Sequence, residues 1–183
     1  MRKWAVLAKD FERYRPQQKF TRLKFARACF ASPGLLAVYY FRSIEGAARR
    51  GRRTTASLFR FIALTTLGAD FVPGCRAEPG LMIQHPNGIV IGGRVVIGAH
   101  CTLLQQVTLG EKYADGSAPH LSPTILAGAT IGAGAKVVGH VTVGAGSTVG
   151  ANSVVTRDVP DGFTVVGVPA APARRANEVG PAM

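Results

Sequence analysis

The chain contains few cysteines, few acidic residues and no long hydrophobic run. Its three cysteines, Cys29, Cys75 and Cys101, are too few for a disulfide scaffold and do not form a CxxC metal ribbon. The longest apolar run, from Gly34 to Phe41, is shorter than the ~20 residues that a bilayer span requires. The N-terminus lacks the basic start, apolar stretch and cleavage site of a secretory signal. We therefore expect a cytoplasmic protein in a reducing compartment, without a metal site.

Positive charge is concentrated in the first third of the chain. The 183 residues include 22 Lys or Arg and 10 Asp or Glu, which gives a net charge of +12. Residues 1–66 hold 15 basic and 3 acidic residues, whereas residues 67–183 hold 7 of each. Three interpretations are open for the basic region: a solvated face, a contact with a membrane surface or polyanion, or nucleic-acid binding. A membrane contact would place the protein at the inner face of the membrane, and no motif supports nucleic-acid binding.

Residues 1–66 are predicted to be α-helical. Apolar residues recur at helical spacing in one segment, which predicts a buried helix face over Phe20, Leu23, Ala26 and Phe30. Ser32 and Pro33 are typical of the start of the next helix, which is expected to end near Gly51. A third helix is expected to begin at Thr54 or Thr55 and to be closed by Gly68.

The second region contains a six-residue repeat. An aliphatic residue returns at this interval at Ile91, Ile97, Leu103, Leu109, Ile125, Ile131, Val137, Val143, Val149 and Val155. Small or β-branched side chains mostly follow four positions later, and Cys101 at such a position is predicted to be structural. The pattern predicts a solenoid of short strands and tight turns with one large and one small side chain inward in each repeat.

Two places depart from this pattern. His85 lies six residues before Ile91, where an aliphatic residue is expected, and burying an unpartnered histidine there would be costly. Leu109 and Ile125 are sixteen positions apart rather than six, which predicts a loop over residues 111–123. An extended loop that leaves a rigid scaffold usually carries function, although a tolerated surface insertion is the alternative.

The segments LMIQHPNGIVIG, IGAGAK and VVGVPA occur in that order and resemble the hexapeptide-repeat acyltransferases, most closely the serine acetyltransferase-like subgroup. The resemblance covers about residues 65–170. It implies a mainly β fold, a left-handed parallel β-helix, which forms a homotrimer and uses acetyl-CoA as co-substrate. The chain is then divided into a basic α-helical region (1–66), an acyltransferase β-helix (67–169) that includes loop 111–123, and a C-terminal tail (170–183).

The resemblance also implies site residues. His85 matches the catalytic general base and Asp70, fifteen residues earlier, matches the carboxylate that orients it. A hydrogen-bonded core or interface histidine and a helix-capping aspartate are the structural alternatives. Gln84 and His120 are expected to contact the acceptor. Donor contacts are implied for Gly110, Ala133, Lys136, Ala151 and Arg174, with a basic disordered tail as the alternative for Arg174.

Three departures from the serine enzymes bear on the acceptor. Gln84 stands where they carry Asp, Leu121 and Ser122 stand where they carry Arg-His, and the helical region is shorter. We therefore predict an acetyl-CoA-dependent O-acetyltransferase acting on a hydroxyl of a sugar, a polysaccharide precursor or another small metabolite. The alternatives are a serine O-acetyltransferase of cysteine biosynthesis and a non-catalytic β-helix that binds or scaffolds.

Overall fold

The computed structural model describes residues 3–112 and 121–175, with the backbone alone for Arg174 and Arg175. Within these residues, four helices precede fifteen short strands. The helices are α1 (Lys3–Tyr14), α2 (Arg22–Ala31), α3 (Pro33–Arg49) and α4 (Arg53–Leu67). The strands are β1 (Asp70–Phe71), β2 (Arg76–Ala77), β3 (Met82–Ile83), β4 (Val90–Ile91), β5 (Val96–Ile97), β6 (Thr102–Leu103), β7 (Thr108–Gly110), β8 (Thr124–Ile125), β9 (Thr130–Ile131), β10 (Lys136–Val138), β11 (Thr142–Val143), β12 (Thr148–Val149), β13 (Val154–Val155), β14 (Phe163–Val166) and β15 (Ala171–Arg175).

Local capping chemistry sets the start of α3 and the end of α4, as predicted, whereas α4 begins at Arg53 without a side-chain cap. The Ser32 hydroxyl accepts a hydrogen bond from Leu35 N at 3.3 Å, and Pro33 occupies the first turn of α3. Gly68 closes α4 in the left-handed conformation, with φ +64°, and its N–H donates to Leu64 O. Helix α1 lies within the region predicted to be helical, although no sequence signal was assigned to its ends.

The predicted buried face of α2 is wrong. Leu23 and Phe30 are 62% and 95% exposed, and Phe20 precedes the helix. The helix instead buries Phe25, because the neighbouring elements offer an aromatic cluster on that side. The ring of Phe25 packs against those of Trp4, Phe11, Phe20 and Tyr39.

The strands form a parallel β-helix, which confirms the predicted solenoid. Three sheets make the three sides of each coil: sheet A (β1-β4-β7-β10-β13), sheet B (β2-β5-β8-β11) and sheet C (β3-β6-β9-β12-β14-β15). The aliphatic residues of the six-residue repeat face inward and are at most 1% exposed. Stacked coils therefore satisfy one another's backbone groups around one continuous apolar core.

Side chains from α1 and α3 cover the open first coil. Asp10 Oδ1 accepts hydrogen bonds from Gly80 N at 2.8 Å and Leu81 N at 3.0 Å. Its carboxylate also pairs with Arg42, whose guanidinium donates to the carbonyls of Ala77 and Glu78. These contacts satisfy backbone groups that an uncapped β-helix would leave without partners.

The predicted C-terminal tail is not wholly a tail. Residues 171–175 form β15, which pairs antiparallel with β14 at the end of sheet C. Pairing occurs because β14 would otherwise leave an unpaired edge. Residues 176–183, also part of the predicted tail, lie outside the described residues.

Candidate active site

His85 lies in a corner of the β-helix and not in its core. The inward residues of the two flanking strands, Ile83 on β3 and Ile91 on β4, are eight positions apart, so this coil contains two residues more than the repeat predicts. The extra residues carry Gln84 and His85 to the exposed surface. The expectation of a histidine at an inward aliphatic position is therefore wrong. In the described residues, the His85 imidazole has no hydrogen bond or ion pair, which leaves it accessible to a substrate.

The strand that leads into His85 is held by two helices. Tyr14 on α1 donates its hydroxyl to Ile83 O at 2.6 Å and accepts from Ile83 N at 2.8 Å. Burial raises the pKa of this phenol, which keeps its proton for donation. Gly34 on α3 lies so close that a Cβ there would be 1.8 Å from Ile83 O. Both helices therefore fix the backbone immediately before Gln84 and His85.

Asp70 is paired with an arginine that the sequence did not single out. Arg60 Nε lies 2.5 Å from Asp70 Oδ1, and Arg60 Nη2 lies 2.8 Å from Asp70 Oδ2. These hydrogen bonds raise the pKa of the guanidinium. Between the residues that the structure describes, no hydrogen bond joins Asp70 to His85. No local signal could have revealed Arg60, because the contact depends on how α4 turns into β1.

The segments that carry Asp70 and His85 are nevertheless neighbours. Asp70 N donates to Ile89 O at 2.8 Å, and Gly88 N donates to Gly68 O at 2.9 Å. These bonds place the first strand of sheet A directly beside the chain that leaves His85. The acidic group and the imidazole thus belong to adjacent coils at one end of the solenoid.

Most of the predicted functional loop lies outside the described residues, and with it His120. The described ends meet, because Lys112 N donates to Leu121 O at 3.1 Å. Ser122 is buried, and its hydroxyl has no hydrogen-bond partner among residues 3–112 and 121–175. The two ends of the loop are therefore hydrogen-bonded to each other where the chain passes from β7 of sheet A to β8 of sheet B. We call this contact the loop base.

Two of the residues that the resemblance implies for binding acetyl-CoA, Ala133 and Ala151, share a corner with His85. We call the turns from sheet C to sheet A the C–A corner, at residues 84–89, 104–107, 132–135 and 150–153. Ala133 and Ala151 occupy equivalent places in consecutive coils, because β9 pairs with β12 in register. Their backbone N–H groups find no acceptor in the described part of the chain. The corner thus offers a line of free donors to a ligand.

The other residues implied to bind acetyl-CoA differ in whether their polar groups are free to contact it. Lys136 follows the C–A corner, and its Nζ donates to Gln106 O at 2.5 Å, so its charge is already held by a carbonyl. Gly110 is the last residue of β7, at the end of the strand opposite the C–A corner, and its carbonyl accepts a hydrogen bond from Gly139 N. Arg174 lies on β15, and its side chain is outside the described residues.

The cysteines do not offer a nucleophile. Burial raises the pKa of the Cys29 thiol to about 11 and that of the Cys75 thiol to about 12. Burial also raises the pKa of Cys101, whose Sγ contacts Leu126 O at 3.0 Å. The described residues contain no group of three or more His, Cys, Asp or Glu that could hold a metal. None of the helices in residues 3–112 and 121–175 has the length and hydropathy of a membrane span.

Several known serine acetyltransferases are similar to this chain in sequence or in structure. The model of the bacterial transferase hexapeptide (six repeats) family matches residues 122–157. A serine acetyltransferase from Synechococcus elongatus is 35% identical over 137 residues, which are 75% of this chain and 55% of that protein. The crystal structure of serine acetyltransferase from Brucella abortus aligns with a TM-score of 0.79 at 30% identity, over 93% of this chain and 68% of that chain.

A serine acetyltransferase solved in complex with CoA aligns with a TM-score of 0.76 at 27% identity, over 92% of this chain and 68% of that chain. The chain spans about half the length of the curated relatives that it matches.

Proposed function

Because this chain belongs to the bacterial hexapeptide-repeat transferases, in the serine acetyltransferase-like group, we propose that it is an acetyl-CoA-dependent O-acetyltransferase. Family membership confirms the predicted left-handed parallel β-helix. The observation that carries the proposed activity is the exposed His85, free of partners in the described chain, on the same corner as Ala133 and Ala151. A base and a line of backbone donors are what a direct transfer from a thioester requires.

His85 is proposed to act as the general base. Its imidazole accepts the proton of the acceptor hydroxyl while the hydroxyl oxygen attacks the thioester carbonyl carbon. The C–O bond forms, the C–S bond breaks, and the departing CoA thiolate takes up the proton that His85 returns. No covalent enzyme intermediate is needed, which agrees with the raised thiol pKa values of the cysteines.

Asp70 is proposed to orient the His85 ring while it remains paired with Arg60. A carboxylate offers about four lone-pair sites, and the bidentate contact with Arg60 uses two of them. The remaining sites are sufficient for one imidazole N–H, which would fix the tautomer that leaves the other ring nitrogen as base.

The CoA moiety is proposed to lie along the C–A corner. The N–H groups of Ala133 and Ala151 would donate to the amides of its pantetheine arm, with Gly110, Lys136 and Arg174 as further contacts. A relative that aligns over most of this chain was solved with CoA, which supports this assignment.

Similarity to serine acetyltransferases favours L-serine as the acceptor. The sequence differences from those enzymes, at Gln84, Leu121 and Ser122, had instead predicted a sugar or another metabolite. Relatives at 34–35% identity are serine acetyltransferases. Lys112, an exposed residue whose backbone N–H donates to Leu121 O at the loop base, is proposed to supply the positive charge that the family's arginine would give. The uncharged Gln84 beside His85 keeps a sugar hydroxyl as the second candidate.

Release of CoA from acetyl-CoA, followed with a thiol reagent, tests these proposals. With L-serine we expect a kcat/KM of ~10⁴ M⁻¹s⁻¹ or more, the ordinary range for enzymes. A higher value with a sugar than with L-serine would favour the second candidate. A chain that binds acetyl-CoA but releases no CoA with serine, homoserine or common sugars would instead be a non-catalytic β-helix.

A further inference from the structure

A cleft separate from the proposed active site lies between the helical region and sheet B. Helices α1 and α3 form one wall and the edge of β2 and β5 forms the other, around a volume of about 670 Å³. Sheet B is the side of each coil that does not touch the C–A corner, since that corner joins sheets C and A. A ligand in this cleft would be separated from His85 by the apolar core.

The cleft is lined by more cations than its carboxylates can neutralise. Its basic residues, other than the buried Arg42, are Lys3, Arg49, Arg50 and Arg76. Of its two acidic residues, Glu45 already pairs with Arg42 at 3.1 Å, and Glu78 is exposed. None of the four basic residues has a carboxylate within ion-pair distance in the described chain. The excess positive charge is therefore available to an anion.

Lys3 has favourable contacts in this cleft, but none of them is with a carboxylate of the described residues. Its Nζ donates to Ser43 Oγ at 2.8 Å and lies 4.3 Å from the ring centroid of Tyr39. Burial, followed by repulsion from Arg50, lowers the pKa of this ammonium. A neutral hydroxyl and an aromatic face are weak substitutes for a counter-ion, so an anion between Lys3 and Arg50 would relieve the repulsion.

We propose that this cleft binds a small molecule that carries phosphate groups. Guanidinium groups match phosphate oxygens in a bidentate geometry, and an ammonium adds a point charge. The volume falls within the roughly 300–1,000 Å³ of small-molecule sites, and a concave cleft encloses a ligand where a flat basic face would not. The site is distinct from the groove proposed for CoA and would bind its ligand whether or not acetyl transfer occurs.

Calorimetric titration of the full chain with inorganic pyrophosphate at low ionic strength tests this proposal. The variant Arg49→Gln/Arg76→Gln removes two exposed cations of the cleft that have no hydrogen bond of their own in the described residues. The matched control, Arg27→Gln/Arg157→Gln, removes two exposed arginines elsewhere and gives the same change in net charge.

We expect the cleft variant to weaken pyrophosphate binding at least about tenfold and the control to change it less than about twofold. Equal dissociation constants for the two variants would overturn the proposal. Failure of the unmodified chain to bind pyrophosphate would also overturn it. If that chain sedimented with phosphatidylglycerol vesicles instead, the cations would be assigned to a membrane surface. His85→Ala is expected to keep pyrophosphate binding, so failure of the proposed acetyl transfer is a separate outcome.

Discussion

At the scale of single residues, the proposed chemistry depends on one imidazole that the fold leaves free. His85 reaches the surface because its coil contains two residues more than a regular one, and Tyr14 fixes the strand before it. The chain offers a second histidine for comparison. His140 is also exposed, but it lies in a turn between sheets A and B, away from the C–A corner.

Replacing His85 by Ala is expected to lower kcat by about 10²–10⁴-fold, the usual contribution of a general base. Acetyl-CoA affinity should remain nearly unchanged, because backbone groups of other coils are proposed to hold the donor. Steady-state kinetics and a direct CoA-binding titration measure the two effects. His140→Ala is the control and should retain full turnover. If His85→Ala keeps most of its activity, the base is another residue, and His120 is the next to test.

The Arg60–Asp70 pair is partly exposed, so its contribution to stability should be small. The two side chains are 38% and 21% exposed, and such pairs contribute about 0.2–1 kcal/mol to the free energy of unfolding. A double-mutant cycle with Arg60→Gln and Asp70→Asn, followed by urea unfolding, should therefore give a coupling energy within that range.

The same variants separate a structural role of Asp70 from a catalytic one. Asp70→Asn should lower kcat far more than its loss of stability explains, because the amide cannot orient the imidazole as a carboxylate does. Arg60→Gln leaves the carboxylate in place and should retain more activity. Equal loss of kcat in both variants would show that the ion pair, and not the carboxylate alone, supports turnover.

At the scale of elements, α3 is the helix that anchors the first coil, and two of its glycines differ in their surroundings. At Gly34 a Cβ would lie 1.8 Å from the carbonyl oxygen of Ile83, which is backbone and cannot move aside. At Gly46 the nearest atom is Arg50 Nη1 at 3.1 Å, the end of a flexible side chain. The first glycine is required by close packing, whereas the second is not.

Gly34→Ala is therefore expected to lower the free energy of unfolding by about 1–3 kcal/mol, as overpacked sites do. Gly46→Ala, in the interior of the same helix, should be neutral or should raise it by roughly 0.5–1 kcal/mol, because alanine restricts the unfolded chain and favours the helix. Urea unfolding of the two variants measures the difference. A Gly34→Ala protein as stable as the unmodified chain would contradict this account of how α3 meets β3.

These elements also show which features a sequence can reveal. The six-residue period can be detected in the sequence because every repeat contributes an inward aliphatic residue, so the solenoid could be predicted. The longer coil around His85 could not be predicted, because Ile83 and Ile91 are separated by eight positions and not by the six of the repeat. Helix α1 acts through Asp10 and Tyr14 on strands about 70 positions away, and such contacts leave no local pattern. The face of α2 was assigned wrongly because exposed apolar residues gave the same helical spacing as buried ones.

At the scale of the whole molecule, a single chain leaves an apolar row on α4 uncovered. Leu58, Phe61 and Leu64 recur on one side of the helix and are 58%, 63% and 46% exposed. The Arg60–Asp70 contact ties α4 to the outer surface of sheet A, where Val90 is also 38% exposed. Apolar surface that continues from a helix onto a sheet is typical of a protein interface.

The chain is accordingly proposed to form a homotrimer, with the α4 row and the outer face of sheet A at the subunit contact. Sedimentation at micromolar concentration should give a particle of three times the 19.3 kDa chain mass. Phe61→Glu should shift the particle toward monomer, because a carboxylate buried in an apolar contact is strongly disfavoured. Phe30→Glu replaces an equally apolar and more exposed residue on α2 and should leave the trimer intact. A monomeric unmodified chain would remove the subunit contact, and with it any contribution of a neighbour's loop to the site around His85.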